Sequence, residues 1–342
     1  MVVGAPFPVG VADAAEPSGM APPGPSALPG FTQRSVTDFT GTSLPGNWGT
    51  FADPAAGDPG SQWSPTHVTV GGGVLSLNAW RDPAYADQWV TGGACDCADP
   101  HTYGAFFVRS RETGPGPTVV ELLWPTSGWP PEIDFNETNG STTFSFATLH
   151  WASQDLQTQV RRAVDLTQWH TWGVVWTPTS VVYTLDGRPW GVVNAPGEVP
   201  HVPLTLHIQQ QTWCSQGYAC PTSDQSTLVD WVAYYAYTPR VATIGPFAAG
   251  SAAIDAPVRR ALDAAALAIA RHRDPVVSVV GSGDPGPGGS TLGRRRAQSA
   301  RAYLLARLAA LGDRSVLVAA LPEPASSAAR GLSARVVSLT VG

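Results

Sequence analysis

Three carboxylates fall within six residues at Glu132-Ile133-Asp134-Phe135-Asn136-Glu137, in a chain of which only 13% of the residues are charged. Beside Trp124 and Trp129 they are poorly explained as ordinary solvated surface. A plain strand alternates its side chains between faces, so Glu132 and Asp134 share a face while Glu137 points the other way. A single-residue β-bulge would bring Glu137 back to the first face. Hydrolysis of a glycosidic bond with retention of configuration uses two carboxyl groups roughly 5–5.5 Å apart. With a rise of roughly 3.3 Å per residue, two glutamates straddling an aspartate can lean toward one bond. Spacing alone leaves an equal alternative, in which three acids on a loop bind a cation or face water.

The elements that must hold these acids read as strands. Pro (32) and Gly (36) are abundant in the 342 residues, as are Trp (13) and Thr/Val-rich runs, which favours turn-rich β structure. From about Thr32 to Thr238, short apolar or alternating runs recur, among them Val74–Leu77, Ala105–Arg109, Thr118–Leu123, Thr143–His150 and Val202–Gln209. Asp186-Gly187 is a hairpin-turn signal. Strands at such intervals predict a two-sheet sandwich or jelly roll. After a Gly/Ala/Pro-rich boundary the pattern changes. Val258, Leu262, Ala265 and Ile269 fall on one helical face, as do Ala300, Leu304, Leu308 and Leu311. Strands are expected at 276–280, 315–321 and 335–341. The predicted fold is an all-β jelly-roll sandwich followed by a smaller α+β domain. Residues 1–30 are a Pro-rich disordered segment or the remnant of a secretion signal, with Ala12-Asp13-Ala14 resembling a cleavage site. Residues 31–240 form the β domain, 241–250 a linker, and 251–342 the α+β domain.

A family resemblance covers about 200 residues. Glu132-Ile133-Asp134-Phe135-Asn136-Glu137 resembles the E-x-D-x-x-E signature of glycoside hydrolase family 16. Trp89-Val90-Thr91-Gly92-Gly93, Thr102-Tyr103-Gly104 and Val108-Arg109 resemble the stretch before that signature. Thr148-Leu149-His150-Trp151, Trp169-His170-Thr171-Trp172, Asp186-Gly187 and Leu228-Val229-Asp230-Trp231 resemble later landmarks in order. The resemblance implies an endo-acting retaining enzyme of the laminarinase and lichenase kind, cleaving β-1,3 or mixed β-1,3-1,4 glucans. Glu132 would be the nucleophile, Glu137 the acid/base, and Asp134 would lie between them, raising the Glu137 pKa by its charge. No cofactor is required for that chemistry. Asp230 resembles one ligand of a structural calcium found in some relatives. Pro131 stands where family members commonly carry Gly, and the segment from Trp129 to Glu132 is short.

Sugar rings have apolar faces that stack on aromatic side chains. Trp124, Trp129 and Trp151 are therefore the cleft candidates, with His150 and Arg109 as polar partners. Core packing is an equal alternative for each of these Trp residues, and the expected state of Trp172, Trp176 and Trp231. Gln209 and Gln211, alternate members of an amide run, could point into a cleft or belong to a polar edge strand.

The segment from Ile244 to Val341 resembles the OmpA-like peptidoglycan-associating domain, through Gly281-Ser282-Gly283-Asp284, Leu292-Gly293-Arg294-Arg295-Arg296-Ala297 and Arg335-Val336-Val337. It implies Asp284 and Arg296 as ligands of a peptidoglycan stem peptide and a tether to the cell wall. A proline- and glycine-rich loop and Gly293 in place of the usual Ser depart from that pattern. A net charge of -6 argues against a nucleic-acid partner. No apolar run is long enough for a transmembrane helix. A secreted or wall-associated protein would pair its four cysteines, and Cys214–Cys220 is the expected short loop, with free buried thiols as the alternative. A non-catalytic β-glucan-binding or peptidoglycan-anchoring protein is the competing class.

Overall fold

The computed structural model describes residues 17–25, 27–28, 30–55, 60–195, 197–238, 240–272, 276–284, 288–314, 316–321 and 335–341. The Ala12-Asp13-Ala14 site lies outside them. The chain divides into two compact units, one built mainly on residues 33–236 and the other on 237–342.

The first unit consists of two β-sheets. One has seven strands in the order Leu156–Ala163, Phe144–Trp151, Glu132–Glu137, Thr118–Pro125, Leu204–Gln211, Gly93–Cys95 and Gly49–Thr50. The other has ten, centred on Gly104–Glu112, which lies between His170–Thr177 and Gln225–Tyr237. Alternation along each strand supplies the layer between the sheets. Leu123, Ile133, Phe135, Leu149, Leu206 and Ile208 enter from the seven-stranded sheet, and Phe106, Val108, Trp172, Val174, Trp176 and Val229 from the other. Burying an aliphatic or aromatic side chain of this size contributes about 1.5–3 kcal/mol, so this layer is the main source of stability. Trp172, Trp176 and Trp231 are all fully buried, as their strand patterns predict.

The amino-terminal expectation needs correction from Pro17 onward. Asp230 Oδ2 accepts the Ser18 N–H at 3.0 Å, Trp231 Nε1 donates to the Met20 carbonyl at 2.7 Å, and Gln33 Nε2 donates to the Pro23 carbonyl at 2.9 Å. This stretch is ordered because its backbone groups answer buried polar atoms of the ten-stranded sheet.

The second unit has a four-stranded sheet in the order Arg240–Ile244, Val337–Val341, Val276–Gly281, Leu317–Leu321, with helices Ala256–His272 and Gly289–Ala310. The expected linker is thus strand over residues 241–244, since residues 240–244 pair with 337–341. Val258, Leu262, Ile269, Ala300, Leu304 and Leu308 form the core against Val277, Val279 and Leu339. Gly293 has a packing reason: a Cβ there would lie 2.4 Å from the Gly281 carbonyl oxygen, so helix and strand meet backbone to backbone.

Candidate active site

The strand Glu132–Glu137 lies third in the seven-stranded sheet, between Thr118–Pro125 and Phe144–Trp151. Opposite Phe144–Trp151, Glu132 pairs with His150 and Asp134 with Thr148, but Glu137 pairs with Phe146, so three steps on one strand match two on the other. That is a one-residue bulge. Phe135 packs in the core, Asn136 is buried beside it, and Glu137 returns to the face carrying Glu132 and Asp134. The three acids therefore share the face turned away from the inter-sheet layer.

Each acid has a donor. Trp129 Nε1 donates to Glu132 Oε2 at 2.7 Å, and Thr148 Oγ1 donates to Glu137 Oε2 at 2.8 Å. His150 sits between two carboxylates, with Nε2 at 3.2 Å from Asp134 Oδ2 and Nδ1 at 2.6 Å from Asp155 Oδ1. Glu132, Asp134 and His150 each place one polar atom within 4.8 Å of the others. Burial, then the Asp134 charge, pushes the Glu132 carboxyl up to about 9. Burial, then Glu137, holds Asp134 well above the usual carboxylate range. Burial and the charges of their neighbours thus favour a proton held on the Glu132–Asp134 pair.

Aromatic rings lead away from the acids across the sheet. Trp124 and Trp129 stack at 6.3 Å between centroids, His207 lies 6.4 Å from Trp124, and Phe51 lies 5.5 Å from His207. The exposed indole of Trp129 stands beside the acids. Gln209 and Gln211 share the His207 face of their strand, and Gln209 is level with Val120 and hence with Glu137. Gln210 faces the other way and donates to Thr227 at 2.7 Å. Burial pushes the His207 imidazole down to about 4, so it is a neutral ring at working pH.

Two expected cleft residues are elsewhere. Trp151 follows His150 and so faces the core, where it packs on the buried cluster and its Nε1 donates to Thr158 at 3.2 Å. Arg109 belongs to the ten-stranded sheet and alternates with core residue Val108, so it points outward from that sheet. There it bonds Ser18 Oγ at 3.1 Å and lies 3.6 Å from Asp186. His207 was detectable as the first member of the alternation that continues through Gln209 and Gln211. Phe51 carried no local signal, because its ring is laid over Gly93 by tertiary packing.

Asp284 and Arg296 are brought together, but as partners of each other. Arg296 is completely buried and donates to the Ser251, Ser282 and Ala248 carbonyls and, at 2.8 Å, to Asp284 Oδ1. Asp284 Oδ2 accepts the Gly250 N–H at 2.6 Å. An arginine with four of its five N–H groups engaged and no exposed surface has no donor face to offer a stem-peptide carboxylate, which corrects the role expected for Arg296. Both Cys214–Cys220 and Cys95–Cys97 are disulfides.

A profile of the glycosyl hydrolases family 16 matches residues 58–233, about half of the chain. The endo-1,3-1,4-beta-glycanase ExsH of Rhizobium meliloti (strain 1021) is 31% identical over 113 residues, covering 31% of this chain and 24% of that protein. The chain thus spans about a quarter of the length of that curated relative. The laminarinase catalytic domain of Thermotoga maritima MSB8 superposes with a TM-score of 0.53 at 18% identity, over 60% of this chain and 98% of that one. The laminarinase of Rhodothermus marinus does so with 0.53 at 21%, over 61% and 99%. With the signature acids gathered on one sheet face and the family profile spanning both sheets, the chain belongs to family 16 of the glycosyl hydrolases.

Proposed function

We propose that this enzyme is an endo-acting β-glucanase that cleaves β-1,3 or mixed β-1,3-1,4 linkages with retention. The observation that carries the reading is the bulge that returns Glu137 to the face of Glu132 and Asp134. Glu132 attacks the anomeric carbon. Its carboxylate is freed when the proton of the acid pair resides on Asp134, and the Trp129 N–H stabilises it. Glu137, held by Thr148, protonates the departing oxygen and later takes a proton from water. His150 and its partner Asp155 fix Asp134 from the far side. The endo-1,3-1,4-beta-glycanase and laminarinase names of the relatives support the substrate class.

Reducing-sugar release should be measured on laminarin, lichenan, agarose and carrageenan, with the anomer of the first product followed by NMR. Release from laminarin or lichenan with the β-anomer appearing first is expected. Release confined to the galactans, or an α-anomer appearing first, would overturn the reading. Phe51 supports a sugar ring beyond Trp124. Phe51→Ala should raise KM on laminarin about tenfold, the order of one aromatic contact, with kcat within twofold; an unchanged KM removes Phe51 from the binding track.

A structural calcium at Asp230 belongs to the same proposal. Asp230 Oδ1 is buried with no hydrogen-bond partner, an open oxygen that a hard cation would take. Asp230 would supply one oxygen to the ion, with stability as the ion's contribution. Calcium at a hundred times its Kd should stabilise by about 2.7 kcal/mol, and a chelator should lower Tm by several degrees while kcat at 25 °C holds. A Tm indifferent to both would exclude the site.

Two disulfides support action outside the reducing cytoplasm, in a secreted or wall-associated enzyme. The second unit's resemblance supports a tether to peptidoglycan, with Asp284 the partly exposed member of its pair. Pelleting of the full chain with purified peptidoglycan, weakened in Asp284→Ala, tests this; failure to pellet ends it.

A further inference from the structure

A continuous run of buried polar side chains lies between the sheets, behind the acid strand, and takes no part in the steps above. Ser110 Oγ, from the ten-stranded sheet, donates to Glu121 Oε1 at 2.5 Å. Asn136 lies directly opposite Glu121 on the neighbouring strand, and its side chain acts on the Glu121 carboxyl. Ser145 Oγ donates to Asn136 Oδ1 at 2.7 Å, and the backbone N–H of Glu137 donates to Ser145 Oγ at 3.1 Å. Ser110, Glu121, Asn136 and Ser145 are each no more than 2% exposed.

The place where this run ends is informative. The bulge breaks the backbone ladder between Asp134 and Glu137, and a buried N–H left there needs an acceptor from elsewhere. Ser145 supplies it. Ser145 is itself bonded to Asn136, Asn136 stands opposite Glu121, and Glu121 is held by the opposite sheet. Buried polar and charged groups are costly, and apolar side chains of similar volume are often as stable or more so. A polar run in a core position is therefore best explained by the geometry it imposes. Here that geometry is the backbone position of Glu137, whose carboxylate is steered on the other face by Thr148.

We propose that Glu121, Asn136 and Ser145 are positioning residues that fix the bulge and so set the reach of Glu137 to the glycosidic oxygen. This rests on the proposed acid role of Glu137. Misplacing a reacting group by about 1 Å can cost on the order of 10²-fold in rate. The loss should appear only where the leaving group needs a proton.

The test uses the full chain, with the double substitution Glu121→Met/Asn136→Leu and, separately, Ser145→Ala. Each is assayed for thermal unfolding and for kcat/KM on two β-glucosides of laminaribiose. One has a phenyl leaving group, which needs protonation; the other has 2,4-dinitrophenyl, which departs unaided. The expected result is a loss of roughly 10- to 100-fold on the phenyl substrate, under threefold on the dinitrophenyl one, with Tm of the double variant close to wild type. Equal losses on both substrates, or wild-type kcat/KM on the phenyl substrate, would overturn the proposal. Should the double variant fail to fold, Ser145→Ala decides alone, since it leaves Glu121 and Asn136 in place. Wild type inactive on both substrates and on laminarin would reject the underlying glucanase reading; active wild type with unimpaired variants would reject only the positioning.

Discussion

Glu132→Gln is expected to reduce kcat on laminarin by on the order of 10⁴-fold or more, the scale of losing a covalent nucleophile. The amide keeps the shape and can still receive the Trp129 N–H, so binding should survive and the loss should fall on kcat. Glu132→Gly with sodium azide separates the roles further. Azide in the vacated space attacks the anomeric carbon once, Glu137 protonates the departing oxygen, and the product is an α-glycosyl azide. Glu137→Ala should cost about 10²- to 10⁴-fold, as for a lost general acid. With azide it should yield the β-azide, because Glu132 has already inverted the centre once. A Glu132→Gln enzyme with ordinary turnover, or β-azide from Glu132→Gly, would exchange or end these assignments.

The same site should weaken the fold as pH rises. Glu121 is fully buried, with its carboxyl pushed up to about 8 by burial, and Glu132 is pushed up to about 9 by burial and then by Asp134. In the unfolded chain both titrate near 4.5. The folded state therefore binds more protons between those limits. The stability these groups contribute is complete below about pH 4.5 and is lost as pH rises through 8 and then 9. Each pH unit of such a gap is worth about 1.4 kcal/mol. Glu132→Gln has no carboxyl to ionise, so it should be more stable than wild type by on the order of 2–4 kcal/mol at pH 9 and nearly equal at pH 5. Denaturant unfolding at pH 5, 7 and 9 measures this. Parallel pH dependences in the two proteins would show that Glu132 ionises normally in the fold. Activity and alkaline stability should thus move in opposite directions at one residue.

The acid strand was legible because its signal is local. Three carboxylates in an apolar setting, at a spacing that only a bulge reconciles, demanded an irregular strand, and the ladder has one. The strands of both sheets and the two helices of the second unit were legible for the same reason, since periodicity of 2 or 3.6 reports which side is buried. Trp151 failed because one landmark contained two adjacent residues, and adjacent strand residues cannot both face a cleft. His150 took the cleft side, so Trp151 went to the core. Arg109 failed because proximity in a motif says nothing about which of two sheets a strand joins. Asn136 read only as a spacer between acids, yet it is the buried link from the bulge to Ser145 and Glu121.

The amino-acid order alone determined which segments are strands, which face of each is apolar, and that a bulge would let Glu132, Asp134 and Glu137 share one side. Those properties depend on neighbours within a few residues, where alternation and turn chemistry are strong. The fold alone decided that Phe51 lies over Gly93, that Arg296 is closed off by carbonyls, and that Ser110 of one sheet reaches Glu121 of the other. Such contacts join residues 11 to 48 positions apart, across sheets and turns. Their partners are chosen by how the layers stack, a property of the packed molecule that no short window of sequence contains.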